Sequence, residues 1–176
     1  MRLMISILYT YLFRKRIFLM AMLVLMLFAS SVKVNAQEPP PRPPTITLTN
    51  NLSFGAFYQG ASGGTVTISP AGIRTSTGDI ILIGLGYPFS AAHFNVYSNP
   101  GTVISILNGP DIPLTWGGYS INLHIGGSDP LSPFVNSNPY TVPNILSIGA
   151  TIVVGNPATN PPGSYSGTFE ITLVFE

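Results

Sequence analysis

From Thr45 onward, Thr, Val, Ile and aromatic residues come in short runs separated by Gly, Pro, Asn and Ser, the texture of strands bounded by turns. The pattern predicts strands at about 45–49, 52–57, 64–69, 79–85, 91–97, 102–107, 119–125, 145–154 and 165–175. No stretch repeats its apolar residues at a helical period, and 17 prolines leave little room for a helix. Period-two alternation then assigns faces. Tyr119, Ile121, Leu123 and Ile125 share one face, against Ser120, Asn122 and His124 on the other; Ile148, Ala150, Ile152 and Val154 align in the same way. The unbroken run from Ile80 to Ile83 predicts a strand covered on both faces. Glycine pairs at 63–64, 117–118 and 126–127, with Asn99-Pro100-Gly101, predict turns. The clearest alternation is the last. Tyr165, Gly167, Phe169, Ile171, Leu173 and Phe175 point one way, and Ser166, Thr168, Glu170, Thr172, Val174 and Glu176 the other. Regular short strands of this kind argue for an all-β sandwich or barrel.

The first 36 residues follow different rules. A basic cluster at Arg14, Lys15 and Arg16 precedes an uncharged apolar run from Ile17 to Val32, and Val34-Asn35-Ala36 places small residues where a signal peptidase needs them. Charged start, apolar centre and small-residue exit are the parts of a secretory signal. The run, 16 residues long, falls short of the about 20 that span a bilayer comfortably. The expected organisation is a signal peptide over 1–36, a proline-rich linker over 37–44, and one β domain over 45–176. Cleavage after Ala36 would place the chain in the periplasm, on the cell surface or outside the cell, with no membrane association afterwards.

That cleavage inverts the charge. It removes Arg2, Arg14, Lys15, Arg16 and Lys33 and leaves Arg42 and Arg74 against six acids, a net charge of −4. A mature chain without lysine cannot neutralise a row of phosphates, so a nucleic-acid partner is excluded. There are no cysteines, which removes disulfides, thiol chemistry and thiolate metal sites together.

Candidate chemistry is sparse. His93 and His124, the only histidines, fall on the polar sides of their strands, and no Gly-x-Ser-x-Gly elbow is present to position a nucleophile. Asp79, Asp111 and Asp129 lie in or beside expected turns, without the spacing of a calcium loop. Gly84-Leu85-Gly86 lacks the third glycine and the helix of a dinucleotide fingerprint. No catalytic residue, metal or cofactor is expected, and the chain reads as a non-enzyme. Trp116, Tyr119 and Tyr87 lie at or near turns, where ring faces can stack on a sugar. They are the candidate glycan contacts.

Several segments resemble a bacterial secreted family that carries only a domain-of-unknown-function label. They are Asn51–Gly55 (NLSFG), Gly64–Gly72 (GTVTISPAG) with Arg74–Gly78 (RTSTG), Ala91–Val96 (AAHFNV) with Pro100-Gly101, Ile148–Val154 (IGATIVV) and Pro162–Phe169 (PGSYSGTF). That family is similar to spore-coat-U-like and chaperone–usher fimbrial subunits, so the resemblance implies an immunoglobulin-like antiparallel β-sandwich. Fimbrial subunits often carry a disulfide that is missing here. They also end in an alternating strand with a glycine fourteenth from the end and an aromatic penultimate residue, which Gly163 and Phe175 match. The resemblance therefore implies an assembly strand with Tyr165, Phe169, Ile171, Leu173 and Phe175 as its contacts, read by β-augmentation. The expected function is a fimbria-like structural subunit or cell-surface domain that self-assembles or engages a chaperone or neighbouring subunit. The alternative is a glycan-binding or adhesive sandwich.

Overall fold

The computed structural model describes residues 13–20, 22 and 40–176. The chain divides into two units, Met1–Pro40 and Pro41–Glu176. In the first, residues 13–20 and 22 are helical; the rest of the expected signal segment, including Ala36, lies outside the described residues. No helix among the described residues is long and apolar enough to cross a membrane.

The second unit is all β. Its strands are β1 (Thr45–Asn50), β2 (Ser53–Phe54), β3 (Phe57–Ile68), β4 (Arg74–Leu82), β5 (Phe89–Ser90), β6 (Ala92–Tyr97), β7 (Val103–Asn108), β8 (Ile112–Trp116), β9 (Tyr119–Asp129), β10 (Phe134–Val135), β11 (Asn144–Val154) and β12 (Ile171–Phe175). Seven of them form one antiparallel sheet centred on β11. Along one edge β11 pairs with β9; along the other it pairs first with β6 (Asn144 to Ile148) and then with β3 (Ala150 to Val154). β1 lies outside β6, β4 outside β3, and β8 outside β9. A second sheet, ordered β10-β7-β12, supplies Ile104 to the same core, and β2 with β5 makes a small two-stranded sheet. The architecture is a β-sandwich built on a curled large sheet.

The inner rows follow the alternation. Val66, Ile121, Leu123, Ile125, Leu146, Ile148, Ala150, Ile152 and Val154 form the buried core, and removing that apolar area from water is the main stabilising term.

Beyond shifted strand ends, such as β4 at Arg74–Leu82 against the expected 79–85, four expectations outside the C-terminal segment need correction. The strand 52–57 is two pieces, β2 and the start of β3. The run from Ile80 to Ile83 is not covered twice: Ile80 is buried, but Ile81 is 57 % exposed on the outer face. The glycine pairs at 63–64 and 126–127 lie inside strands, as β-bulges. Residues 60–63 stand opposite Asp79, and 126–127 opposite Gly149. Gly63 has φ +68, and a Cβ there would fall 2.3 Å from the Val154 carbonyl oxygen, so the bulge needs glycine twice over. Only 117–118 forms the expected hairpin turn.

The fourth correction is β8, which the strand pattern misses because Pro113 interrupts it. Thr115 exchanges backbone bonds with Ser166, its N–H donating at 2.8 Å and its carbonyl accepting at 3.2 Å. The bonding direction at Thr115 is therefore away from β9. Pro113, two residues earlier, points its missing N–H the same way, so the ladder with β9 loses nothing.

Candidate functional site

The C-terminal segment decides what this surface can do. The expected strand 165–175 is not one strand. Ser166 bridges to Thr115 on the edge of the large sheet, residues 167–170 leave that edge, and β12 pairs with β7 in the small sheet. The chain changes sheets at Gly167, where a Cβ would lie 3.0 Å from Leu114 Cδ2 and 3.1 Å from the Pro113 carbonyl oxygen. Such corners are where strands pass between layers of a sandwich. Inward alternation survives the corner: Tyr165, Phe169, Ile171, Leu173 and Phe175 all pack against the core.

β12 is bonded along one edge only among the described residues. Glu176 exchanges both backbone bonds with Val103, at 2.8 and 2.9 Å, and Gly109 N–H donates to the Glu170 carbonyl at 3.1 Å. With the register Ile171↔Asn108 to Phe175↔Ile104, Thr172 and Val174 also bond toward β7. The N–H and C=O groups of Ile171, Leu173 and Phe175 therefore face the open edge. Their side chains are half-buried. An open backbone edge beside incompletely covered apolar side chains is a template for an added strand.

The aromatic candidates separate. Trp116 and Tyr119 are cross-strand partners at the end of the β8–β9 hairpin, continuing the inner rows of Ile112 and Leu114 on β8 and of Ile121 and Leu123 on β9. Tyr165 packs beside the indole, with ring centroids 6.1 Å apart and planes at 52°, and its hydroxyl donates to the Pro161 carbonyl at 2.9 Å. Burial, and next the neighbouring Tyr119, pushes the Tyr165 phenol above its ordinary pKa. Tyr87 does not join them. It is 67 % exposed in the 83–88 loop and makes no ring contact with the other three among the described residues. Gly163, matched by resemblance to an assembly signature, acts locally, since a Cβ there would fall 2.2–2.6 Å from Cδ2, Cε3 and Cε2 of Trp116. The backbone at 163 is the floor on which the indole rests.

Several polar side chains that hold these loops were not singled out from sequence. Arg74 donates to the carbonyls of Phe54 and Ala56 through Nη1 and of Ile83 through Nη2, at 3.0–3.2 Å, and lies 4.3 Å over the Phe89 ring. Gly55 leaves the room for it, since a Cβ there would sit 2.6 Å from Nη1. The segments Asn51–Gly55 and Arg74–Gly78, separate in sequence, are thus one clamp. Asn136, 1 % exposed, donates to the carbonyls of Ser98 and Asn99 and accepts from Asn138 N–H and the Asn144 amide. Asn160 accepts from Gly155 N–H and donates to the Ser120 carbonyl. The sequence signal available for both asparagines is their place among prolines, where side chains must replace missing backbone donors. Residues 40–44 of the proline-rich segment are exposed, but their end is tied down. Arg42 and Asn99 exchange two hydrogen bonds, and Tyr140 donates to the Pro43 carbonyl.

The titratable groups stay scattered. His93 is half-buried, with Nδ1 2.9 Å from Ser147 Oγ. His124 Nδ1 lies 2.7 Å from Asp111 Oδ1 at the surface, and Asn122 donates to the other carboxylate oxygen. The hydrogen bond from His124, more than any other contact, holds the Asp111 carboxyl below its ordinary pKa. Among the described residues no three His, Cys, Asp or Glu side chains converge as metal ligands.

No curated protein and no solved structure matches the chain. The stretch from β1 to the end of β12, which holds both the open edge and the aromatic rim, matches one family over residues 45–175, and the chain therefore belongs to the family described as Domain of unknown function (DUF4402).

Proposed function

We propose that this protein is an exported, non-enzymatic structural or cell-surface subunit, and that β12 is its assembly element, extended by a strand from a protein partner. The observation that carries the reading is the open edge of β12. Its N–H and C=O groups without a partner among the described residues belong to Ile171, Leu173 and Phe175, whose side chains are only half-buried. An added strand would satisfy those groups and cover that apolar surface in one step. The basic cluster, apolar run and small-residue exit over residues 14–36 support export.

The test is positional cross-linking. A photoactivatable residue replaces Thr172, exposed on β12, or Thr77, exposed on the edge strand β4. The exported protein is cross-linked in its native host, and the purified full chain is sedimented at increasing concentration. Protein cross-links concentrated at position 172 are the expected result. A chain that sediments as a monomer at every concentration, and cross-links no more from 172 than from 77, would overturn the reading.

A further inference from the structure

We propose that the rim formed by Trp116, Tyr119 and Tyr165 binds a neutral glycan, with a pyranose ring stacked on the exposed face of the indole. This site is separate from the β12 edge and stands whether or not that edge recruits a partner strand.

Three observations point to it. First, the indole is held rather than merely exposed. Gly163 backbone lies against the fused ring on one face, Tyr165 flanks it at 6.1 Å, and Trp116 is nonetheless 40 % exposed. A ring fixed in advance loses little freedom when a ligand stacks on it. Second, the approach is open. Gly117 and Gly118 join Trp116 to Tyr119 with φ +56 and +88, and no atom beyond their immediate chain neighbours lies within 4 Å of where either Cβ would be. The turn thus presents backbone and no side-chain wall, with Tyr119, 43 % exposed, beside the indole.

Third, the surroundings select the ligand class. Segments 112–123 and 155–169, which build the rim, contain no charged residue, so a phosphate, sulfate or ammonium group finds no partner there. Their exposed large apolar side chains are Trp116 and Tyr119 alone. Aromatic faces without exposed aliphatic side chains suit the C–H face of a sugar. The 81–89 region, by contrast, exposes Ile81 and Leu85 alongside Tyr87 and Phe89, a mixed surface without that selectivity.

The protein carries its own reporter, because Trp116 is its only tryptophan. The full chain is titrated with cellohexaose, xylohexaose, mannohexaose and chitohexaose while indole emission is followed. At least one hexasaccharide should give a saturable change, with Kd between roughly 10 μM and 1 mM. Tyr119→Ala should weaken that binding about tenfold, and Tyr87→Ala should leave it unchanged. Gly163→Ala should abolish the saturable response by unseating the indole; because it could also disturb the fold, Tyr119→Ala carries the decision. No saturable response to any of the four sugars, or equal weakening by Tyr119→Ala and Tyr87→Ala, would overturn the proposal.

Discussion

β11 and β12 carry the same kind of sequence, alternating Ile, Leu and Val, yet they occupy opposite positions in the sandwich. β11 is paired along both edges, and Leu146, Ile148, Ala150, Ile152 and Val154 are all at most 2 % exposed. β12 is paired along one edge, and its inward residues are half-buried. The difference does not lie in hydrophobicity. It comes from neighbours: an inward side chain is sealed only when strands on both sides, and the opposing sheet, close over it. One alternating pattern thus makes a core in one place and an open edge in another.

The largest expected effect tests that contrast directly. Ile148→Ala should destabilise the domain by about 2–5 kcal/mol, through lost transfer energy and a cavity that cannot collapse. Leu173→Ala removes comparable carbon from a site already half in water and should cost roughly 1–2 kcal/mol. Denaturant melts of the two variants at equal slope provide the measurement. Equal losses would mean that the β12 face is sealed and that its edge is no docking surface.

Hydrogen exchange sharpens the contrast residue by residue. The amides of Thr172, Val174 and Glu176, which bond toward β7, should be protected, and those of Ile171, Leu173 and Phe175 should exchange much faster. In β11 no such alternation should appear between Ser147 and Val153. Uniform protection across β12 would mean that a second strand already covers it.

An edge alone is not what makes β12 distinctive, because β4 is also an edge strand. There the first residue, Arg74, folds inward onto three carbonyls. Arg74→Met should cost about 1–3 kcal/mol, since half-buried carbonyls lose charge-assisted donors, and should loosen 83–89 while leaving β12 unchanged in exchange.

The smallest effect belongs to the surface pair. Asp111 has its pKa lowered in the folded state by His124, so its contribution is present above the ordinary carboxylate range. It is lost as pH falls through the lowered value. Asp111→Asn should therefore flatten the acid limb of the stability–pH curve slightly, an effect that added salt erases. A large loss at neutral pH would assign Asp111 a structural role that its exposed position does not suggest.

Much of the fold was legible because period-two alternation is a local property. The inner rows of β9 and β11, the hairpin turn at 117–118 and the inward set of the C-terminal segment all follow from which side chains cannot face water. The glycines at 63 and 126–127 read as turns because a bulge and a turn make the same local demand for small residues, and only the partner strand distinguishes them. Pro113 concealed β8 for a similar reason. Proline forbids a ladder bond in one direction, and the direction is fixed by which neighbour lies where.

The candidate site divides along the same line. Alternation alone determined that Tyr165, Phe169, Ile171, Leu173 and Phe175 face inward. It could not reveal that the chain changes sheets at Gly167, because a corner that preserves the period leaves no trace in the pattern. Nor could it group Trp116, Tyr119 and Tyr165 while setting Tyr87 apart, or place Gly163 under the indole. Gly163 and Tyr165 lie about 50 positions from Trp116, and closing such loops depends on the whole sandwich rather than on any local preference. Sequence chose the faces of the strands; tertiary structure chose their neighbours, and with them the open edge and the aromatic rim.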